Sequence, residues 1–432
     1  MRSPIRPRAA LALLLSACGA ATAPDVPPDA DTPDADTPDA ASAAGDYLLL
    51  APIASTTTYL IDRSGAVVHA WPSSARPGQA VYLLDDGDLL RTEVAPSTVF
   101  SGGGIGGRVT RYAWYGAIAW SYAYASATHQ QHHDAIALPD GHVLLVAWET
   151  VPDALARGRD PAALPAQGEL WADHLVEIDP ATDAIVWEWH LVDHLVQDRD
   201  AAKPAYGAIA AHPELVDINA AARPQNDWTH VNAVAYDAAQ DEILLSVHNL
   251  NEVWVLDHGT TAAIAAGHTG GRRGRGGDLL YRFGNPAIAG AAGEETLFGQ
   301  HNAQWIAAGL PGAGHVLLFN NGRAGVRPYS TVDEYALPTD GAAPTLTWRY
   351  IADPPESMFG SNISGAQRLP DGNTLVCVGP EGRLLEVTPG GATVWSYAVP
   401  GAMPAVFRAT RIAGDHPALF GRVLVPGGPI AN

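Results

Sequence analysis

Three histidines stand at one register of a repeated sequence unit. When the units are aligned on the apolar residue before a tight turn (Leu84, Leu138, Ala235, Ile306, Leu369 and Ile412), the position five residues earlier reads Gln79, His133, His230, His301, Ser364 and Phe407. A fourth histidine, His248, closes the apolar run Ile243–Val247 that follows His230. Clustered imidazoles do one of two things. They ligate a metal, or they supply a nucleophile, a base and groups that stabilise an anion. The chain has no H-x-E-x-H pair, and Asp134 is the one carboxylate adjoining the set in sequence. Metal is therefore the weaker choice, and the expectation is a catalytic set of His301, His230, His133 and His248 with no metal and no cofactor.

The elements that position these residues are strands. The segments His133–Leu145, Ser364–Val376 and Gln79–Leu90 each carry an Asp-Gly turn flanked by period-two alternation, the pattern of a hairpin. Further along each unit comes a strand built on an aromatic pattern: Val67–Trp71, Ile118–Tyr122, Ile185–Trp189, Thr347–Tyr350 and Val394–Tyr397. Complete units begin near residues 79, 133, 230, 301 and 364. A sixth is split, with Thr58–Trp71 expected to supply its third and fourth strands and Phe407–Val425 its first and second. Joining the chain ends in one blade closes a ring and removes exposed sheet edges. The expectation is an all-β, six-bladed propeller over residues 46–432. In such a ring the first strand of each blade lines the axis, which brings the histidines to one level of a channel. The insertions Thr150–Glu169 and Gln197–Asp227 leave counts of five and seven open.

Composition narrows the function classes. A formal net charge of −21 in 432 residues argues against nucleic acid as a partner, because phosphate recognition needs clustered Lys and Arg. Residues 1–18 read as a leader: Arg2, Arg6 and Arg8, then the apolar Ala9–Leu15, too short to span a bilayer, then Leu15-Ser16-Ala17-Cys18. The last four resemble a bacterial lipobox. This implies a lipid on Cys18, cleavage before it, and an outer-membrane destination, because Gly19 and not aspartate follows. Residues 19–45 alternate Pro, Asp, Ala and Thr and read as a disordered, self-repelling tether. The second cysteine of the chain, Cys377, falls in an apolar run and reads as a buried thiol.

The motifs around these histidines resemble the bacterial arylsulfotransferases, which move a sulfuryl group between phenols without a nucleotide sulfate donor. The resemblance rests on Ser55–Asp62, His132–Gly141, Asp227–Asp237, Phe298–Ile306 and Ile363–Leu375, and it extends over roughly residues 46–430. It implies a six-bladed propeller and a two-step reaction of an aryl sulfate donor with a phenolic acceptor. On the matching motifs His301 is the nucleophile that becomes sulfohistidine. His230 stabilises the sulfuryl oxygens and handles the phenol proton, and His133 is a further channel contact. The chain departs from the family pattern at His248, where an arginine is expected. Arginine offers a permanent fork for oxyanions; histidine is charged only when protonated. The dimerising N-terminal β-domain of the family has no counterpart ahead of the propeller, which implies a monomer whose membrane contact is the lipid at Cys18.

Other features weigh less. Gly267–Gly277 carries Arg272, Arg273 and Arg275 among glycines but lacks the Lys-Ser/Thr ending of a phosphate-binding loop. It reads first as a solvated loop between blades and second as a basic rim. Asn320-Asn321-Gly322-Arg323 ends a strand and reads first as a turn and second as a placement of Arg323 near the mouth. The tryptophans of the fourth strands read as packing residues. The alternative to an enzyme is a tethered propeller that binds a phenolic, glycan or protein partner. A quinoprotein-like propeller shares the tryptophan pattern, but the chain has no recognisable set of cofactor-binding acids.

Overall fold

The computed structural model describes residues 45–431, apart from residues 167, 222 and 340. The proposed leader, and the tether as far as residue 44, lie outside the described residues.

Hairpins turn on a repeated piece of chemistry. At Asp86-Gly87, Asp140-Gly141 and Asp371-Gly372 the glycines take φ of 93°, 93° and 88°, a region costly for any residue with a Cβ. The aspartate Oδ1 accepts the N–H two residues on, at 3.0, 3.0 and 2.9 Å. Each turn thereby carries its own polar bond, and the alternating residues on either side pair as antiparallel strands.

These hairpins extend into six four-stranded sheets arranged as the blades of a propeller. Blade 2 comprises Pro77–Leu83, Leu89–Val94, Gly107–Tyr112 and Ile118–Ala123. Blade 3 comprises His129–Ala137, Val143–Val151, Leu170–Asp179 and Ala184–His190. Blade 4 comprises Val231–Asp237, Glu242–Val247, Glu252–Asp257 and Tyr281–Phe283. Blade 5 comprises His301–Trp305, Val316–Asn320, Thr331–Ala336 and Thr345–Ile351. Blade 6 comprises Gly365–Arg368, Thr374–Val378, Arg383–Val387 and Thr393–Ala398.

Blade 1 closes the ring, but its division differs from the sequence expectation. The C-terminal part gives one strand, Val406–Ile412, and the N-terminal part gives three, Tyr47–Pro52, Thr57–Asp62 and Val67–Pro72. Tyr47–Pro52 pairs with both Val406–Ile412 and Thr57–Asp62, so it is buried on both faces and reads as a continuous apolar run without alternation. The apolar residues of Phe420–Val425 mimic a strand in sequence, yet Phe420, Val423 and Val425 are exposed outside any sheet.

The core is distributed over the ring. Six apolar clusters of buried residues lie one in each of the six interfaces between neighbouring blades. Cys377 belongs to the cluster between blades 6 and 1, where burial pushes its thiol up to about 12.

The same position of every fourth strand then reaches across to the next blade. Trp120 Nε1 donates to Asp183 Oδ1 (2.8 Å), Trp187 Nε1 to Thr260 Oγ1 (3.0 Å), Trp348 Nε1 to the Pro389 carbonyl (2.8 Å) and Trp395 Nε1 to the Arg63 carbonyl (3.1 Å). In the blades where another residue stands there, His69 Nε2 donates to the Trp114 carbonyl (2.7 Å) and the Tyr281 hydroxyl to the Ala342 carbonyl (2.8 Å). Each acceptor sits in the connection between the third and fourth strands of the following blade. The aromatic pattern therefore both packs and clasps.

Candidate active site

All four histidines named from the sequence come together. The row of rings runs His133, His230, His248, His301, with successive centroids 4.5, 5.1 and 5.2 Å apart. Phe407 of blade 1 closes the loop, 5.9 Å from His133 and 6.4 Å from His301. The inner strands deliver them through a shared irregularity. In blades 2 to 5 the pairing of first and second strand slips at this level, and Gln79, His133, His230, Asn302 and Ser364 all take positive φ. Such a bulge re-aims a side chain. In blade 5 the left-handed residue is Asn302, one position after His301. His248 lies beside His230 because its N–H donates to the His230 carbonyl at 3.1 Å.

The hydrogen bonds give each ring a different character. Asp227 Oδ2 makes a short bond to His230 Nδ1, while its Oδ1 accepts from Trp148 Nε1 at 3.0 Å. Burial works against a charge on His230, but the Asp227 carboxylate outweighs it and holds this histidine above its ordinary value. Asp227 is held below the usual carboxylate range for the reciprocal reason, despite its own burial.

His301 is different. Its Nε2 accepts the Ile363 N–H at 3.1 Å, so the proton must sit on Nδ1, which lies 2.9 Å from Asn321 Oδ1 and 3.1 Å from the Gly299 carbonyl. Asn321 is fixed in that orientation because its Nδ2 donates to the carbonyls of Gly360 and Ile363 at 2.7 and 2.9 Å. Ile363 takes φ 46°, an uncommon conformation for a β-branched residue, and thereby aims its amide at the ring. Burial, with His248 alongside, drives His301 well below the ordinary histidine value.

His133 is driven down in the same way by burial and by the neighbouring His230. Its Nδ1 is 2.8 Å from His132 Nδ1, and His132 Nε2 lies 2.8 Å from Asp173 Oδ1. Gly104, at φ 82°, covers the ring so closely that a Cβ there would sit 1.9 Å from it. His248 Nδ1 meets Asn249 Oδ1 at 2.9 Å, and burial beside His230 lowers this histidine to about 4. The row therefore sets one ring held towards its charged form, His230, among rings held towards the neutral form.

Some sequence expectations need correction. Asp134 does not stand with the histidines; it turns to the opposite side of the inner strands and pairs with Arg408 at 2.7 Å and with Tyr82 at 2.8 Å. The carboxylates behind the row are Asp227 and Asp173. Arg323 pairs with Glu295 at 2.7 Å, and the neighbour that bears on the site is Asn321. Arg272 and Arg273 of the glycine-rich loop bind blade 4, at the Gln240 carbonyl (2.8 Å) and Glu242 (2.6 Å). Beyond Asp134 and Arg408 the axis opens at its other end into a cavity of about 410 Å3, lined in part by Gln304 and Gln367.

The family whose model matches is Arylsulfotransferase (ASST), over residues 37–390. The chain belongs to the arylsulfotransferase family. No curated protein sequence matches it. Among solved structures, a protein of unknown function from Bacteroides caccae is similar at 12% identity and a TM-score of 0.48, over 85% of this chain and 99% of that one. The periplasmic gluconolactonase PpgL of Pseudomonas aeruginosa is similar at 15% identity and a TM-score of 0.44, over the same shares. In this member of the family four imidazoles stand on the axis of the propeller.

Proposed function

We propose that the protein transfers a sulfuryl group from an aryl sulfate to a phenol through a sulfohistidine, without a nucleotide sulfate donor. The observation that supports this best is the unlike bonding of two rings in the row: His301, held towards the neutral form with its proton on Nδ1, stands one ring away from His230, held towards its charged form by Asp227.

The His301 Nε2 lone pair attacks sulfur; the N–S bond forms and the bond from sulfur to the aryl oxygen breaks. The departing aryl oxide takes the proton from His230 Nε2, and His230 becomes neutral. Asn321 keeps the Nδ1 proton of His301 and so accommodates the positive charge that the ring acquires. In the second step neutral His230 takes the proton of the acceptor phenol. The phenolate oxygen bonds to sulfur, the N–S bond breaks, and His301 is restored. In the resting state the Ile363 amide occupies the Nε2 lone pair, so the ring must turn from it to meet sulfur. That amide is then free to donate to a sulfuryl oxygen. His133 and His248 line the same stretch of the axis beside His230 and His301.

The leader supports an exported lipoprotein held by Cys18 at the outer membrane or cell surface, a monomer whose substrates are small phenolic molecules. A second reading, a tethered propeller that binds a phenolic ligand without turnover, is favoured by one observation, the occupied lone pair of His301. Release of nitrophenol from nitrophenyl sulfate with a phenol acceptor separates the two. Turnover supports transfer; saturable binding without release supports the binding propeller.

A further inference from the structure

The glycine-rich loop Gly267–Gly277 contributes nothing to the histidine row, yet its two ends build a second site. The loop folds back on itself: the Gly277 N–H donates to the Gly267 carbonyl at 3.0 Å, and Gly270 bridges Arg275. This brings His268 and Asp278, ten residues apart in sequence, together beside His194, which comes from the connection between blades 3 and 4. Asp278 Oδ1 lies 2.8 Å from His194 Nδ1 and 2.8 Å from His268 Nδ1. The three ligand atoms all lie within 4.8 Å of one another.

His194 is the telling member. It is fully buried, stacked on Trp189 at 5.4 Å, and its Nε2 faces the Ala265 carbonyl at 2.8 Å. A carbonyl can only accept, so Nε2 carries a proton and donates it. The His194 Nδ1 faces the carboxylate oxygen of Asp278. The His268 Nδ1 converges on the same oxygen, so two imidazole nitrogens and a carboxylate meet at one point. The Nε2–H bond to a backbone carbonyl is also the outer support that metal-bound histidines use to fix ring and tautomer. Gly277 permits this approach, since a Cβ there would lie 2.0 Å from the Ala265 carbonyl and 2.7 Å from His194 Nε2.

We propose that His194 Nδ1, His268 Nδ1 and an oxygen of Asp278 bind Zn2+, with a fourth position open to solvent. Two imidazoles and one carboxylate suit this ion, and three protein ligands leave tetrahedral zinc one water. His268 is exposed, and it also lines a cavity of about 410 Å3 beside the connection, which gives the ion an entry path and the water a place. Zinc here ties the loop to the insertion that precedes blade 4.

The test is zinc stoichiometry on the full chain after chelation and dialysis, read by metal analysis and by the d–d spectrum of Co2+ as a stand-in. The expected result is one equivalent bound with a tetrahedral cobalt spectrum, lost in His268→Ala and in Asp278→Asn, and kept in His230→Asn. His268 is a surface residue, so its variant keeps the fold, and an unchanged melting temperature in chelator confirms that. No binding by the wild type overturns the proposal. So does an equivalent that survives His268→Ala but disappears with His230→Asn, which would put the ion in the axial row.

Discussion

At the scale of the residue, the account turns on protonation. Asp227→Asn removes the carboxylate that keeps His230 charged, leaving burial to lower it. Turnover at neutral pH should fall roughly a hundredfold, the usual weight of a positioned proton donor, and the alkaline limb of the pH profile should move to lower pH. An unchanged limb would separate His230 from proton transfer. His248→Arg supplies a permanent cation beside the sulfuryl oxygens. It should raise kcat/KM about tenfold, the worth of one charge-assisted bond in this setting, read from initial rates over donor concentration. Stability carries a second signature. A histidine whose folded value is lowered binds protons more readily when unfolded, so it costs stability as pH falls below its ordinary value of about 6.5. For His248, lowered to about 4, the loss accumulates between those values and reaches at most about 3 kcal/mol. The His230–Asp227 pair acts oppositely on its histidine side: its contribution is full below about 6.5 and fades as pH rises through the raised value of His230. Melting temperatures from pH 7 to 4.5 should therefore fall less in His248→Gln than in the wild type.

At the scale of the element, the clasp of each fourth strand on the following blade carries a separate expectation. Trp120→Phe keeps the ring but removes the N–H that reaches Asp183. It should cost about 1 kcal/mol, with activity intact, by denaturant melts and the transfer assay together. Much of this scale could be read from the chain. The Asp-Gly turns and the aromatic fourth strands are local patterns, and local chemistry fixes both. The row of histidines could be read for the same reason, because the bulge that aims them recurs at one register. What escaped is non-local. Asp227 stood in plain view three residues before His230, but nothing local says that its carboxylate bends back to Nδ1. Asn321 looked like half of a turn, and its hold on His301 depends on carbonyls of Gly360 and Ile363 some forty residues away. The division of blade 1 was misjudged because Phe420–Val425 has the composition of a strand without a partner to pair with, while Tyr47–Pro52 finds partners in both chain ends.

At the scale of the whole molecule, the ring is closed by one C-terminal strand. Truncation before Val406 would remove Phe407 and Arg408, uncover Tyr47–Pro52 and expose the apolar cluster shared with blade 6. The shortened chain should aggregate or melt without cooperativity, seen by size-exclusion chromatography and thermal unfolding, because an apolar strand would lose its ladder. Closure also explains why one axial site can draw on four blades: His133, His230, His301 and Phe407 meet only when the chain ends do. The central claim is that this meeting makes His301 a carrier of the sulfuryl group. Acid-quenching is unsuitable for so labile a bond, so the direct measurement is mass spectrometry of protein mixed with an aryl sulfate, without acceptor, and digested at alkaline pH. The account predicts a sulfuryl adduct on the peptide containing His301, discharged by added phenol and absent from His301→Asn. Turnover with no adduct there, or an adduct that persists in His301→Asn, would contradict it.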